Sequence, residues 1–142
     1  MIRILIVEDN PADAELVRDL ILERQLGDVD VVNDGEQALN YLKRRAPFDS
    51  APRPGFVLLD LNIPKLHGRE VLRAVKSDQE LRQIPILVFT SSEAERDIIE
   101  SYDLNANCYI QKPTDLDEYS KMIDLLNEFW IKTVKLSPAE GR

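Results

Sequence analysis

The chain of 142 residues contains little of several residue types, and each shortage excludes a class of protein. A single cysteine, Cys108, cannot form an internal disulfide, so we expect a reducing compartment and interpret this side chain as a small buried hydrophobe. A single histidine, His67, leaves no cluster of nitrogen and sulfur ligands of the kind that holds zinc. Basic residues number 18 against 26 acidic ones, and the net charge of −8 argues against unaided binding to nucleic acid or to an anionic membrane.

Long apolar runs are also missing from the sequence. No stretch is long enough to span a bilayer, and a strand-like segment stands at the start of the chain, where a secretory signal would otherwise lie. Hydrophobic residues make up 44% of the chain and charged residues 31%, which is the balance of a protein with a proper buried core. We therefore expect one globular domain located in the cytoplasm.

Short apolar runs alternate with segments of helical periodicity along the whole chain. The strand-like runs are residues 2–7, 29–32, 56–59, 86–89 and a last run around Tyr109. Each run is almost continuously hydrophobic, which is typical of strands covered by helices on both faces. The alternation predicts an α/β fold, a (βα)5 arrangement with a doubly wound, five-stranded parallel sheet.

Several helix boundaries are marked by residues with known preferences. Asn10 is suited to cap a first helix with Pro11 at its first position, and Gly27 is expected to end that helix. The final helix carries an apolar stripe at three- and four-residue spacing, which predicts one buried face. Its members are Leu116, Tyr119, Ile123, Leu126 and Trp130. The segment 46–55 contains three prolines and is predicted to be an irregular surface loop.

Chemically reactive side chains follow four of the predicted strands, at the point where each strand ends. They are the acidic pair Glu8 and Asp9, then Asp60, Thr90 and Lys112. Because the carboxyl ends of parallel strands meet in one crevice, we expect these side chains to lie close together. Three carboxylates, a hydroxyl and an ammonium in one crevice predict a site for a hard cation and a phosphoryl group.

The predicted site suits Mg²⁺ and a covalent phosphoryl intermediate. Asp9 and Asp60 can bind Mg²⁺ directly through carboxylate oxygens, and Glu8 can reach it through water. The cation and the ammonium of Lys112 would keep Asp60 ionised, so that its carboxylate can attack a phosphoryl donor and form an aspartyl phosphate. Taken singly, an aspartate or a threonine after a strand is often only a helix cap, and a lysine before proline is often a solvated loop residue. Their combination at the strand ends favours the functional interpretation.

In combination these motifs resemble the response-regulator receiver domain (CheY-like), the phosphoacceptor half of two-component signalling. The resemblance extends over residues 2–130 and implies a sheet with the strand order 2-1-3-4-5. It implies that Glu8, Asp9 and Asp60, together with the backbone carbonyl of Asn62, hold Mg²⁺. It also implies that Asp60 is the phosphoacceptor and that a histidine kinase is the donor.

The same resemblance assigns roles at the other strand ends. It implies that Thr90 moves towards the new phosphoryl oxygens and that Tyr109 fills the vacated space, which makes the pair a switch. Lys112 would contact the phosphoryl group, and the Lys112–Pro113 peptide bond would be cis, as is usual in this family. The chain departs from the family pattern at His67, where the loop commonly has an aspartate.

Three segments narrow the resemblance further: the proline-rich insertion at residues 46–55, the run at residues 101–109 and the ending Glu128-Phe129-Trp130-Ile131. They resemble the small stand-alone regulators of bacterial and cyanobacterial phytochrome histidine kinases, which implies a red/far-red light pathway. We expect a receiver domain at residues 1–133 and a tail at residues 134–142, without a separate output domain. Such a protein is a signalling phosphoacceptor rather than an enzyme, because it catalyses only its own phosphorylation and dephosphorylation. It would act on a downstream protein through a phosphorylation-dependent contact surface.

The last helix is more apolar than one buried face requires, and exposed apolar area of this kind usually marks an interface. We hypothesise a homodimer with two-fold symmetry through the face of the fourth helix, fifth strand and fifth helix. The residues assigned to this surface are Ile98, Tyr102, Tyr109, Met122, Phe129 and Trp130. The alternative is that the segment past the helix, with Val134 and Leu136, folds back over its own core.

Other functions remain open on the sequence alone. A haloacid-dehalogenase-type phosphatase also uses an aspartate at a strand end, but it needs a second aspartate two residues later, where this chain has Asn62. A flavodoxin-like nucleotide binder needs a glycine-rich loop after the first strand, where Glu8 and Asp9 would repel phosphates. The alternatives within the receiver family are a phosphate sink, a relay intermediate and a constitutive binding module.

Overall fold

The computed structural model describes residues 1–138, and residues 139–142 of the expected tail lie outside the described part. The central sheet has five parallel strands: β1 (Arg3–Val7), β2 (Asp28–Val32), β3 (Phe56–Leu59), β4 (Ile86–Thr90) and β5 (Cys108–Gln111). The helices are α1 (Pro11–Glu23), α2 (Gly35–Leu42), α3 (Gly68–Ser77), α4 (Glu95–Asp103) and α5 (Leu116–Leu126), which continues into a π-helical turn (Asn127–Ile131). In the described residues, no helix combines the length and the apolar character needed to cross a membrane.

The strands lie side by side in the order β2-β1-β3-β4-β5, which confirms the predicted topology and the doubly wound parallel sheet. The ladders align the strand ends. Val7 lies beside Val32 on one side and beside Leu59 on the other, and Leu59 lies beside Val88. The residues that follow these strands therefore reach the same edge of the sheet.

Two hydrophobic clusters, one on each face of the sheet, hold the fold together. Alternate residues of β1 point to opposite faces, so Leu5 and Val7 join one cluster while Ile4 and Ile6 join the other. Buried residues of α2 and α3 close the first cluster, and those of α1 and α5 close the second. Each fully buried aliphatic side chain contributes roughly 1.5–3 kcal/mol to folding. The central strands β3 and β4 are buried along their whole length because both of their faces are covered, whereas the edge strand β2 carries Asp28 and Asp30.

Helix α1 begins as predicted and ends earlier than predicted. The side chain of Asn10 caps its first turn, and Pro11 is its first residue. The chain leaves the helical path at Gln25, which has a φ of 54°. The prediction that Gly27 ends the helix is therefore wrong. Gly27 instead lies against the start of the chain, where a Cβ would be 2.6 Å from the carbonyl oxygen of Ile2.

The segment after α5 folds back against the domain. In the π-helical turn, Trp130 packs on Phe56 with the ring centroids 6.2 Å apart. Further along, Leu136 is half-buried and the hydroxyl of Ser137 donates to Gln83 Oε1 at 2.7 Å. Up to residue 138 the tail therefore follows the alternative in which it covers its own domain.

Candidate functional site

The acidic pair follows β1, and its two members face different environments. Glu8 is buried, with 3% of its surface exposed, and its backbone N–H donates to the Val32 carbonyl at 3.0 Å. Its carboxylate accepts a hydrogen bond from the backbone N–H of Asn10 at 3.2 Å. Asp9 is exposed. One carboxylate of the pair is thus fixed by the fold, and the other is open to solvent.

Asp60 follows β3 and is held by the backbone around it. Its own N–H donates to the Val7 carbonyl at 3.0 Å, which keeps it beside β1. The backbone N–H of Asn62 donates to Asp60 Oδ1 at 3.1 Å. Gly68, the first residue of α3, approaches so closely that a Cβ there would be 2.5 Å from the Asp60 carbonyl oxygen. Glycine is required at this position because any side chain would collide with the backbone of Asp60 and Leu61.

The carboxylates of Glu8, Asp9 and Asp60 form one cluster, since oxygens from all three lie within 4.8 Å of one another. Burial raises the pKa of Glu8 to about 7, and the nearby charge of Asp60 adds to the rise although a hydrogen bond from Lys112 opposes it. A hard divalent cation would relieve this repulsion, and Mg²⁺ and Mn²⁺ prefer oxygen donors of this kind. The cluster therefore fits a divalent metal site, as the sequence predicts.

The ammonium group of Lys112 joins three carboxylates. Its Nζ lies 2.6 Å from Glu8 Oε1, 2.9 Å from Asp13 Oδ2 and 3.0 Å from Asp60 Oδ2. The lysine side chain is only 8% exposed. Burial alone would lower the pKa of Lys112, but the hydrogen bonds to the three carboxylates outweigh burial and hold that pKa above its ordinary value. Lys112 is therefore a fixed positive charge in contact with Asp60.

Asp13 is a member of this site that the sequence analysis does not include. It lies in the first turn of α1, where an acidic residue usually serves the helix by interacting with the positive end of its dipole. The one signal in the sequence is its position four residues after Asp9, one helical turn past the acidic pair. Its partner becomes visible only in the fold, because Lys112 is 99 residues away.

Thr90 and Tyr109 lie on neighbouring strands and both contact the loop that follows β4. Thr90 is fully buried, and its Oγ1 accepts a hydrogen bond from the Ser92 N–H at 3.4 Å. The Tyr109 hydroxyl donates to the Ser92 carbonyl at 2.9 Å. The backbone N–H of Lys112 donates to the Thr90 carbonyl at 2.8 Å, which joins the ends of β4 and β5. Ser92 thus contacts both residues of the predicted switch.

The prediction of a cis bond at Lys112–Pro113 is wrong for this structure. Among residues 1–138, the cis peptide bond is Ala46–Pro47, in the proline-rich segment. The trans isomer of an X–Pro bond is favoured by roughly 0.5–1 kcal/mol. Lys112 reaches its three carboxylates with the favoured isomer.

The residues predicted to form a partner surface differ widely in exposure. The half-buried members are Ile98, Tyr109 and Trp130. Tyr102 and Phe129 are 49% and 55% exposed. Met122 is only 8% exposed and belongs to the core cluster between the sheet and α5, so it contributes little exposed area to the predicted surface. Helix α5 exposes the apolar residues Leu116 and Leu125, at 60% and 70%. The prediction that Leu116 belongs to the buried stripe of this helix is therefore wrong.

The sequence also matches a known protein family. The profile of the response regulator receiver domain matches residues 4–124. The chain belongs to this family. It is 39% identical to the response regulator Rcp1 of Synechocystis sp. over 137 aligned residues. This alignment covers 96% of this chain and 93% of that protein. As a receiver domain it is a signalling protein.

Solved structures of related receivers share the whole fold. The crystal structure of the Mn²⁺-bound form of Rcp1 matches with a TM-score of 0.91 at 38% identity, over 97% of this chain and 100% of that chain. The crystal structure of the phosphorylated cyanobacterial phytochrome response regulator RcpA matches with a TM-score of 0.92 at 40% identity, over 96% of this chain and 99% of that chain. These matches confirm the receiver fold and the predicted resemblance to phytochrome response regulators.

Proposed function

We propose that this protein is a response regulator that accepts a phosphoryl group on Asp60 from a histidine kinase, with Mg²⁺ as its cofactor. The observation that carries the proposal is the position of Asp60 between the two groups that the reaction needs. Lys112 Nζ lies 3.0 Å from its carboxylate, and oxygens of Glu8 and Asp9 lie within 4.8 Å. A carboxylate between a fixed cation and a metal cluster suits phosphoryl transfer to aspartate.

The acidic cluster is the proposed Mg²⁺ site. Glu8, Asp9 and Asp60 would hold the ion, and the backbone carbonyl of Asn62 is expected to supply a further oxygen. When bound, Mg²⁺ offsets the negative charge of the crevice and of the incoming phosphoryl oxygens. The Mn²⁺-bound form of Rcp1 supports this assignment, because that relative holds a divalent ion.

Asp60 acts as the nucleophile in this mechanism. One oxygen of its carboxylate forms a bond to phosphorus while the bond from phosphorus to the donor breaks, and the donor leaves with that electron pair. Formation of the acyl phosphate removes the negative charge from the carboxyl group of Asp60, so one N–H of Lys112 can turn from Asp60 to a phosphoryl oxygen. Hydrolysis of the acyl phosphate by water restores the carboxylate. The chain thus catalyses only its own phosphorylation and dephosphorylation.

Thr90 and Tyr109 would convert phosphorylation into a change of surface. The hydroxyl of Thr90 would leave the Ser92 N–H and donate to a phosphoryl oxygen, and Tyr109 would leave the Ser92 carbonyl and occupy the vacated space. The shared contact with Ser92 supports this coupling, because one loop movement alters both hydrogen bonds. The face formed by α4, β5 and α5 would then present a different surface to a downstream protein.

The proposed kinase is of the phytochrome type, located with the regulator in the cytoplasm. The similarity to Rcp1 and to the phytochrome response regulator RcpA supports this choice. The net charge of −8 supports a protein as the downstream partner over nucleic acid or a membrane. In this assignment residues 1–133 form the receiver and residues 134–142 the tail.

The face of α5 is the proposed contact with a second copy of the chain. A groove of about 230 Å³ there is lined by Ile110, Met122, Leu125, Leu126, Phe129 and Trp130. Leu125 and Phe129 are 70% and 55% exposed, and a two-fold dimer would bury them. Sedimentation at several concentrations tests this, with Phe129→Ala expected to weaken the dimer. A wild-type protein that stays monomeric at high concentration contradicts it.

Incubation with acetyl phosphate and Mg²⁺, followed by intact mass measurement, tests the phosphoacceptor. We expect one added phosphoryl group, lost in Asp60→Asn and after removal of Mg²⁺ with a chelator. Asp49→Asn is the matched control, since Asp49 is exposed in the proline-rich loop and should leave the reaction unchanged. An adduct that survives Asp60→Asn refutes the assignment, and no adduct at all favours a constitutive binding module. Transfer from a phosphorylated phytochrome-type kinase tests the proposed donor.

A further inference from the structure

Asp13 holds Lys112 from outside the metal cluster. An ammonium group has three N–H donors, and here three carboxylates lie around it, those of Glu8, Asp13 and Asp60. Glu8 and Asp60 belong to the acidic cluster that fits a divalent ion, whereas Asp13 does not. A carboxylate that binds a cation interacts less strongly with an ammonium group. Asp13 is therefore the one of the three carboxylates that would not also be needed to hold Mg²⁺.

The carboxylate of Asp13 is not needed by its own helix. In many helices a third-residue carboxylate accepts the backbone N–H of the capping residue. Here the N–H of Asn10 donates to Glu8 at 3.2 Å, so that position is already filled. The side chain of Asn10 accepts the backbone N–H of Asp13 at 3.1 Å, which fixes Asp13 in the first turn. The carboxylate of Asp13 is then free to contact Lys112, which follows β5. The Asp13 side chain is 31% exposed in this position.

We propose that Asp13 is a positioning residue that fixes the orientation of the Lys112 ammonium group for phosphoryl transfer. This inference rests on the proposed function. A lysine ammonium on its four-carbon stem can otherwise rotate and point its donors in several directions. With one N–H held by Asp13, the other two are directed to Glu8 and Asp60, where the phosphoryl oxygens arrive. Orientation set before the reaction reduces the reorganisation that the transition state requires.

Two substitutions separate positioning from charge. Asp13→Ala removes the acceptor, and we expect it to slow phosphorylation of Asp60 by acetyl phosphate about three- to tenfold. Asp13→Asn keeps an acceptor oxygen and removes the charge, and we expect it to stay within about twofold of the wild type. Asp19→Ala is the matched control, because Asp19 is exposed on the same helix and carries the same charge. If charge alone mattered, both Asp13 variants would react faster, since the crevice would repel the anionic donor less.

A double-mutant cycle tests whether Asp13 acts through Lys112. We expect Asp13→Ala to have no further effect on the phosphorylation rate when Lys112 is already replaced by alanine. If Asp13 had a purely structural role, Asp13→Ala would slow phosphorylation with or without Lys112, and the loss of rate would parallel the loss of stability. The ¹⁵N signal of the Lys112 ammonium group in the Mg²⁺-loaded protein is the readout that does not depend on the reaction. We expect slow hydrogen exchange of this group in the wild type and Asp13→Asn, and fast exchange in Asp13→Ala.

The inference is overturned by a wild-type rate in Asp13→Ala, by equal acceleration of both variants, or by an effect that remains without Lys112. It is also overturned if the ammonium signal is the same in the wild type and in Asp13→Ala. A wild-type protein that takes no phosphoryl group refutes the proposed function instead, and the ammonium signal then decides on Asp13 alone.

Discussion

The affinity for Mg²⁺ should depend on pH between 6 and 8, because the buried carboxylate of Glu8 titrates in this range. Its pKa is raised to about 7 by burial and by the nearby charge of Asp60. Glu8 is then ionised in about one molecule in ten at pH 6 and in about nine in ten at pH 8. A cation that needs the ionised form should bind about tenfold more tightly at pH 8 than at pH 6. Titration calorimetry with MgCl₂ at the two pH values measures this ratio.

The same carboxylate should make the metal-free protein less stable as the pH rises, whereas it makes Mg²⁺ binding tighter. The folded-state pKa of about 7 lies above the ordinary value of 4.5, so the folded protein favours the protonated form. This contribution to stability is fully present below pH 4.5 and is lost as the pH rises through about 7. The pKa difference of about 2.5 corresponds to at most roughly 3 kcal/mol. Urea denaturation of the metal-free protein at pH 5 and pH 8 measures the loss.

Glu8→Gln isolates this contribution, because the amide has the same shape and does not titrate. We expect the variant to lose the tenfold pH dependence of Mg²⁺ affinity and to gain stability relative to the wild type as the pH rises. Glu15→Gln is the matched control, since Glu15 is exposed on α1 and should keep the wild-type pH dependence. Equal Mg²⁺ affinity of the wild type at pH 6 and pH 8 would refute the reasoning. If Mg²⁺ affinity still differed tenfold between pH 6 and pH 8 in Glu8→Gln, the pH dependence would belong to another titrating group.

Three further predictions concern other parts of the domain. Gly68→Ala should destabilise the protein by roughly 1–3 kcal/mol and slow phosphorylation, because its Cβ would collide with the Asp60 carbonyl; wild-type denaturation and phosphorylation would contradict this. Asn107→Ala should lower the free energy of unfolding by about 1–3 kcal/mol, because Asn107 Oδ1 accepts hydrogen bonds from the Lys76 ammonium at 3.0 Å and from the backbone N–H of Ile86 at 2.9 Å. Urea denaturation measures this loss, and unchanged stability would contradict the role. Burial raises the pKa of the Cys108 thiol to about 11, so alkylation by iodoacetamide at pH 8 should be far slower in the folded than in the unfolded protein, and equal rates would argue against burial.

The sequence predicted the sheet and most of the site because both depend on patterns along single strands. Four of the five strands lead into a reactive residue, and parallel strands bring their carboxyl ends together. The prediction for the end of α1 was wrong because Gln25 adopts a positive φ that glycine favours more strongly, which sequence alone does not reveal. The prediction of a cis bond at Lys112–Pro113 was wrong because it was taken from the family pattern and not from a contact in this chain.

Residues that depend on long-range packing could not be predicted. Asp13 fits the preferences of a first helical turn, and its role depends on a lysine at the other end of the domain. Met122 was assigned to the surface because the apolar face of α5 is wide, but the packing of α5 on the sheet buries it. Trp130 packs on Phe56, as its place in the apolar stripe of the last helix predicts, while its neighbour Phe129 is exposed.

The ammonium group of Lys112 donates hydrogen bonds to Asp60 and Asp13, which lie 52 and 99 positions earlier in the chain. Contacts of such long sequence separation form late in folding and, during synthesis, only after the fifth strand has left the ribosome. A nascent or truncated chain that lacks this strand and the residues after it would still contain Asp60 but not Lys112. Under the proposed function, the ability to accept a phosphoryl group is therefore acquired only when the whole domain is complete.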